Sequence, residues 1–277
     1  MSGLERFVEA KKAEIAALER LMQEPSSFAE GGQLCPWAGE RPSFLRALER
    51  KSGPLAVIAE FKQASPSRGI ICEGLGPEEV ARQYAANGAS ALSVLTEEAY
   101  FKGHISFLHR IAAMKDASGS NFGALPMLRK DFLFHPAQVA ATLATPASAL
   151  LLIVRLTPDA RILRDLREQA ESGGVEAVVE VFDEADLELA RASGARIIQV
   201  NARDLASLKV DREAVLRLVR GCPPQGGERW IAASGMGCLA DLERAAEAGY
   251  HAALVGSALM ENGTPGTDLR RMLTGQA

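Results

Sequence analysis

Cysteine, histidine, aromatic residues and long apolar runs are all scarce in this chain of 277 residues, and each shortage closes off a class of function. The four cysteines (Cys35, Cys72, Cys222, Cys238) are widely spaced and form no Cys-x-x-Cys pair. That spacing argues against a zinc knuckle or a disulfide framework and suits a reducing cytosol. The four histidines (His104, His109, His135, His251) fall in expected helices or loops without ligand spacing, so no metal site is expected. No basic tract exists, and 31 Lys and Arg against 35 Asp and Glu leave a net charge of −4. Nothing in that balance favours nucleic acid or an anionic membrane as a partner. No run approaches the ~20 apolar residues that span a bilayer. The start, Met-Ser-Gly-Leu-Glu-Arg, lacks the apolar stretch of a signal peptide. A cytoplasmic protein is the expectation.

What is present is core-forming material: 47% hydrophobic and 24% charged residues, enough for one large core with a charged surface. From residue 55 onward, short β-branched or Leu-rich runs alternate with amphipathic stretches. Strands are expected at 55–62, 91–96, 125–130, 149–154, 177–182, 196–201, 230–234 and 252–257. Helices are expected near 77–87, 104–116, 136–145, 158–172, 184–193, 211–220, 239–248 and 267–274. Pro77 before two glutamates, and Thr157-Pro158-Asp159, suit first helical turns. Gly88, Gly194 and Gly249 stand where helices should stop.

Eight strands, each followed by a helix, is the count of a closed (β/α)8 barrel. Ser65-Pro66-Ser67-Arg68-Gly69 after the first strand is no GxGxxG, which argues against a doubly wound dinucleotide fold. The expected architecture is one α/β domain over 1–277, with residues 1–50 as a helical extension. In that extension, residues 3–22 form an amphipathic helix with Leu4, Phe7, Val8, Ile15, Leu18 and Leu21 on one side. A loop with Trp37 and a short helix near 43–50 follow. The extension either plugs one end of the barrel or packs beside the mouth and helps shape an apolar pocket.

Charges in the apolar runs carry the chemistry. Glu60 and Lys62 lie two apart, so a strand points both to one face. Burying such groups is a poor route to stability. The anomaly recurs at Lys130 and Glu180. Barrel enzymes work at the C-terminal strand ends, where Glu60, Lys62, Lys130, Glu180, Asn201 and Ser234 would converge. Two lysines and two glutamates there suit general acid–base chemistry; the structural alternative is two inward salt bridges filling the barrel. Small residues after the last two strands, Ser234-Gly235-Met236-Gly237 and Gly256-Ser257, suit a phosphate held by backbone N–H groups, with Ser65 adding a hydroxyl. Arg203 either meets a substrate carboxylate or pairs with Asp204. Arg129 reads as an outward-facing structural charge.

These segments resemble the indole-3-glycerol phosphate synthase family almost end to end. Ile58-Ala59-Glu60-Phe61-Lys62 with Ser65-Pro66-Ser67 resembles its first-strand signature. Ser93-Val94-Leu95-Thr96-Glu97 with Tyr100-Phe101-Lys102-Gly103, and Leu128-Arg129-Lys130-Asp131-Phe132, resemble the second and third. Glu180-Val181, Val200-Asn201-Ala202-Arg203-Asp204-Leu205, Ser234-Gly235 and Val255-Gly256-Ser257 follow in family order. The resemblance implies a lyase of tryptophan biosynthesis. It closes 1-(2-carboxyphenylamino)-1-deoxyribulose 5-phosphate to indole-3-glycerol phosphate, releasing CO2 and water without a cofactor.

By position, the resemblance implies Lys130 as general acid, Glu180 in later proton transfers, and Lys62 as a second acid–base group. Glu60 and Asn201 would orient hydroxyls and the lysines. Arg203, Ser234 and Phe101 would bind substrate, with Ser65, Gly235, Gly256 and Ser257 near the phosphate. The expected partner is a small phosphorylated substrate, and the chain a monomer or weak homo-oligomer. One position departs: the family has glutamate before the seventh-strand serine, and here Ala233 stands there. Gln199, Ala202 and Pro146-Ala147-Ser148 are also unusual. Two other readings share these residues: a paralogue acting on a related phosphorylated or arylamine substrate, and a non-catalytic ligand-binding barrel.

Overall fold

Eight parallel strands close on themselves in a computed structural model that describes residues 4–49, 53–115, 125–203 and 209–276. The strands are β1 Ala56–Phe61, β2 Ala91–Leu95, β3 Met127–Leu133, β4 Ala149–Ile153, β5 Glu176–Val181, β6 Ile197–Asn201, β7 Arg229–Ala233 and β8 Ala252–Val255. Each pairs with its sequence neighbour, and β1 pairs with β8 to complete the ring. The (β/α)8 expectation holds, with the strand ends read from sequence within three residues of those observed.

Alternation divides every strand between two cores. Ile58, Leu128, Leu151, Val178, Ile197, Ile231 and Leu254 fill the interior of the ring. Val57, Val94, Leu150, Val179, Ile198, Trp230 and Ala253 face the surrounding helices. The outer layer includes α3 Pro77–Ala86, α4 Ser106–Ala112, α5 Pro136–Leu143, α6 Ala160–Ser172, α7 Glu184–Ala192, α8 Arg212–Gly221, α9 Leu239–Ala248 and α11 Pro265–Thr274. Asp159, Asp183 and Asp211 each accept N–H bonds from the first turn of the helix they precede, satisfying otherwise unpaired donors. Gly88, Gly194 and Gly249 all have positive φ, which a side chain would resist at those helix ends.

The two helices of the N-terminal extension pack at opposite ends of the barrel, and no described residue of the extension lines the cavity at the mouth. Helix α2, Phe44–Ala47, closes the base. Phe44 is fully buried among the first residues of the strands, and Glu176 at the start of β5 accepts from Ser43 Oγ and Leu45 N, both at 2.9 Å. Helix α1, Glu5–Met22, instead docks at the mouth. Phe7 stacks on Phe132 at 4.0 Å between ring centroids and meets Tyr100 edge-on. Within its buried face sits Lys11, a lysine the apolar stripe did not include. It bonds Asp131 at 2.7 Å.

Among the described residues, several short elements had no counterpart in the sequence reading, including 3-10 turns at Pro25–Phe28 and Val154–Leu156. A short hairpin pairs Ala64–Ser65 with Gly69–Ile70 after β1, and a four-residue helix, α10 Ser257–Met260, follows β8. Among the described residues no helix is long and apolar enough to cross a membrane, and no cluster of His, Cys, Asp or Glu is placed to hold a metal ion.

Candidate active site

A cavity of about 840 Å³ opens at the C-terminal ends of the strands. Its wall includes Glu60, Lys62, Phe101, Lys130, Glu180, Asn201, Arg203, Ser234, Gly235, Gly256 and Ser257. Of the residues singled out in the sequence, only Ser65 is not on that wall. Its hydroxyl is buried in the hairpin, 3.5 Å from Ser67 Oγ, which in turn accepts from Arg203 Nη1 at 3.3 Å. Asp204, offered as a partner for Arg203, lies outside the described residues.

Strand register explains the convergence. Glu60 pairs in register with Ser93, Leu95 with Lys130, Glu180 with Gln199, and Asn201 with Ala233. These positions have the inward parity of the apolar interior residues, one layer nearer the mouth. At β3 the ladder to β4 shifts register between Arg129 and Leu133, and Lys130 sits in that irregularity. Such bulges re-aim side chains beside active sites.

The two lysine–glutamate pairs differ. Lys62 Nζ donates to Glu60 Oε1 at 2.8 Å, and Ser93 Oγ donates to Oε2 at 3.1 Å. Burial opposes ionisation of Glu60, but the charges of Lys62 and Lys130 and these two hydrogen bonds outweigh it. The carboxyl therefore lies below the usual glutamate range. Lys130 Nζ is 3.7 Å from Glu180 Oε2, beyond hydrogen-bond range, so its N–H donors are not committed to that carboxylate. Glu180 is instead bonded by Gln199 Nε2, also at Oε2.

The floor after β7 and β8 is shaped for close approach. Ser234 and Gly235 are consecutive residues with φ of 68° and 80°, a tight left-handed turn that lies on the cavity wall. Ser234 Oγ donates to Asn201 Oδ1 at 2.8 Å, and Arg203 N donates to the same oxygen at 2.9 Å. A Cβ on Gly256 would stand 2.5 Å from Glu60 Oε1 and 3.0 Å from Lys62 Nζ. Glycine there makes room for the ion pair as well as for a ligand. Burial, then the nearby Arg68 charge, lower the affinity of Arg203 for its proton, while Glu60 opposes them.

The opposite wall is apolar, with Leu95, Phe101, Phe132 and Ile153. Phe101 lies 6.2 Å from Phe132, which Phe7 supports from behind. Glu97 fixes the loop carrying Phe101 by accepting from Ala99 N, Tyr100 N and Phe101 N at 2.8–3.0 Å. Arg129 and Asp131 point out of the ring, as expected for Arg129. They are buried under α1, where Thr96, Thr142 and Lys11 complete their bonds. Among the wall residues to which sequence reasoning gave no role are Arg68, ion-paired with Glu261, Glu97 and Gln199. For Gln199 a signal existed, since it shares the inward parity of Asn201 in an otherwise apolar strand.

A family model described as indole-3-glycerol phosphate synthase matches residues 4–272. Indole-3-glycerol phosphate synthase from Chloroherpeton thalassium is 40% identical over 266 residues, covering 94% of this chain and 95% of that protein. The enzyme of the same name from Opitutus terrae is 43% identical over 258 residues, 92% of each. Among solved structures, an N-acetylmannosamine-6-phosphate 2-epimerase from Clostridium perfringens superimposes with a TM-score of 0.55 over 82% of this chain and 95% of its own. At 14% identity, that likeness concerns the fold alone.

Proposed function

The chain belongs to the indole-3-glycerol phosphate synthase family, and from that premise we propose how its own residues close the indole ring. It is an enzyme of tryptophan biosynthesis that converts 1-(2-carboxyphenylamino)-1-deoxyribulose 5-phosphate to indole-3-glycerol phosphate, CO2 and water. The carboxyphenyl ring lies against Phe101 and Phe132, and the phosphate against the backbone of Ser234, Gly235, Gly256 and Ser257. That placement stretches the substrate across Lys130 and Glu180. Arg203, which also lines the cavity, meets the carboxylate from across it.

The aryl carbon bearing the carboxylate attacks the ketone carbon while Lys130 gives a proton to the ketone oxygen. CO2 then leaves, and its bonding electrons restore the aromatic ring. The new hydroxyl departs as water as a proton leaves the neighbouring carbon, with Glu180 handling that transfer and Lys62 as a second acid–base group. Glu60 and Asn201 orient the lysine and the hydroxyls. The observation that carries this reading is the contrast between the two pairs: Lys62 is bound to its glutamate at 2.8 Å, whereas Lys130, at 3.7 Å, keeps donors for the cavity. An ammonium on a side chain only 19% exposed also stabilises the oxyanion that develops.

The small Ala233 side chain lies on the cavity wall between Asn201 and Leu254 and leaves both pairs intact, which favours the synthase reaction over a paralogue's or a binder's role. The test is product fluorescence with the carboxyphenylamino substrate. Turnover on the order of 1 s⁻¹ or above is expected. Tight binding of that compound without product would overturn the reading.

A further inference from the structure

Gln199 is the one uncharged amide wholly buried in the interior layer that carries Glu180, and its bonding is lopsided. Its side chain is 0% exposed. The nitrogen Nε2 donates to Glu180 Oε2, while no donor among the described residues reaches Oε1. The orientation of the amide follows from chemistry, since a carboxylate only accepts and must face the NH2 end. A buried acceptor left unpaired is a standing cost that an aliphatic side chain of the same size would avoid. What the amide supplies in return is the bond to Glu180.

The atom it chooses matters. Lys130 comes nearest to the same oxygen, but at 3.7 Å it makes no hydrogen bond, so among the described residues Gln199 alone bonds the Glu180 carboxylate, and at Oε2. No hydrogen bond to Oε1 of Glu180 is made by any described residue. We propose that Gln199 is a positioning residue: by holding Oε2 it fixes the carboxylate plane and leaves Glu180 Oε1 as the oxygen that exchanges protons with the substrate. This inference rests on the assignment of Glu180 to proton transfer. Gln199 is part of the cavity wall but has no exposed surface, and it acts through Glu180, so its removal lowers kcat and leaves KM nearly unchanged.

The groups facing Gln199 are few. Strand β5 presents Glu180, and β7 presents Ile231 and Ala233, neither titratable. Lys130 stands beyond Glu180, and Glu60 with Lys62 lie across the mouth.

Two variants test the proposal, measured against the unchanged chain with the carboxyphenylamino substrate and checked for folding by thermal unfolding. Gln199→Met keeps the volume and loses the donor. Its kcat should fall about 10- to 100-fold, with KM within about threefold. Gln199→Glu puts a second carboxyl against Glu180. When both are ionised they repel, and when the pair holds one shared proton an O–H donor is restored. Its kcat, relative to the unchanged chain, should therefore rise at least about tenfold from about pH 8 to about pH 5. A purely structural role would give no such recovery. A folded Gln199→Met variant with kcat within twofold of the unchanged chain overturns the proposal, as does a Gln199→Glu deficit that does not vary with pH. Failure of the unchanged chain to turn over would instead remove the functional reading beneath, and the two failures are told apart in the same assay.

Discussion

At the scale of single residues, the site depends as much on what is missing as on what is present. Gly256 has no side chain where Glu60 and Lys62 pass beneath it. Adding one methyl group places carbon 2.5 Å from Glu60 Oε1 and 3.2 Å from its Cβ. Gly256→Ala should therefore displace the pair rather than merely crowd it. It should cost about 1–3 kcal/mol of stability and lower kcat/KM at least about tenfold, read by urea unfolding and steady-state kinetics. Glu60, Lys62, Lys130 and Glu180 were legible in the sequence because a charge in or at the end of an apolar strand is conspicuous, whereas Arg68 and Glu97, outside the barrel strands, were not. Gln199 was visible only as an unusual residue; its partner on β5 is 19 positions away and is named only by register. Ser65 shows the converse. Its place in a motif suggested a ligand, but the hairpin buries the hydroxyl beside Ser67 and away from the cavity wall.

At the scale of elements, the strands and most helices were legible because periodicity of two and of 3.6 residues survives along them. The hairpin and α10 were not, since two-residue strands and a single helical turn carry no period. The docking of α1 was half legible. Its apolar stripe predicted contact with the barrel, yet part of the attachment is polar, through buried Lys11 and Asp131 at 2.7 Å. Burial opposes ionisation of Asp131, and Arg129, Lys11 and a Thr96 hydrogen bond outweigh it, so its pKa is lowered from the ordinary 3.8. Burial likewise opposes the charge on Lys11, and Asp131 and Glu14 outweigh it, raising its pKa above 10.5. A depressed carboxylate stabilises the fold above its unfolded pKa and loses that contribution as pH falls through the folded value. A raised lysine stabilises below its unfolded pKa and loses it as pH rises through the folded one. The contribution of the pair to Tm should thus be flat between about pH 5 and about pH 10 and decline outside that window. Asp131→Ala strands Arg129 and Lys11 without their shared carboxylate, and it should cost about 3–5 kcal/mol. The check is thermal unfolding of both proteins across pH; an unchanged Tm at neutral pH would show that α1 is held by Phe7 and its apolar neighbours alone.

At the scale of the whole molecule, the barrel separates stability from chemistry along its axis. The base is closed by α2 with Phe44 fully buried, and the interior layers above it are apolar. Above Glu176, which meets α2 at the base, the ionisable side chains of the interior gather at the mouth, and Lys130 there is part of no apolar core. Removing its charge should leave the fold intact and remove the proton donor for ring closure. The decisive measurement is indole-3-glycerol phosphate fluorescence from the Lys130→Met chain beside the unchanged one. Turnover should fall about 10²- to 10⁴-fold while Tm stays within a few degrees and substrate binding is largely kept. Near-normal turnover by the folded variant would contradict the role assigned to Lys130 and, with it, the account of how this cavity works.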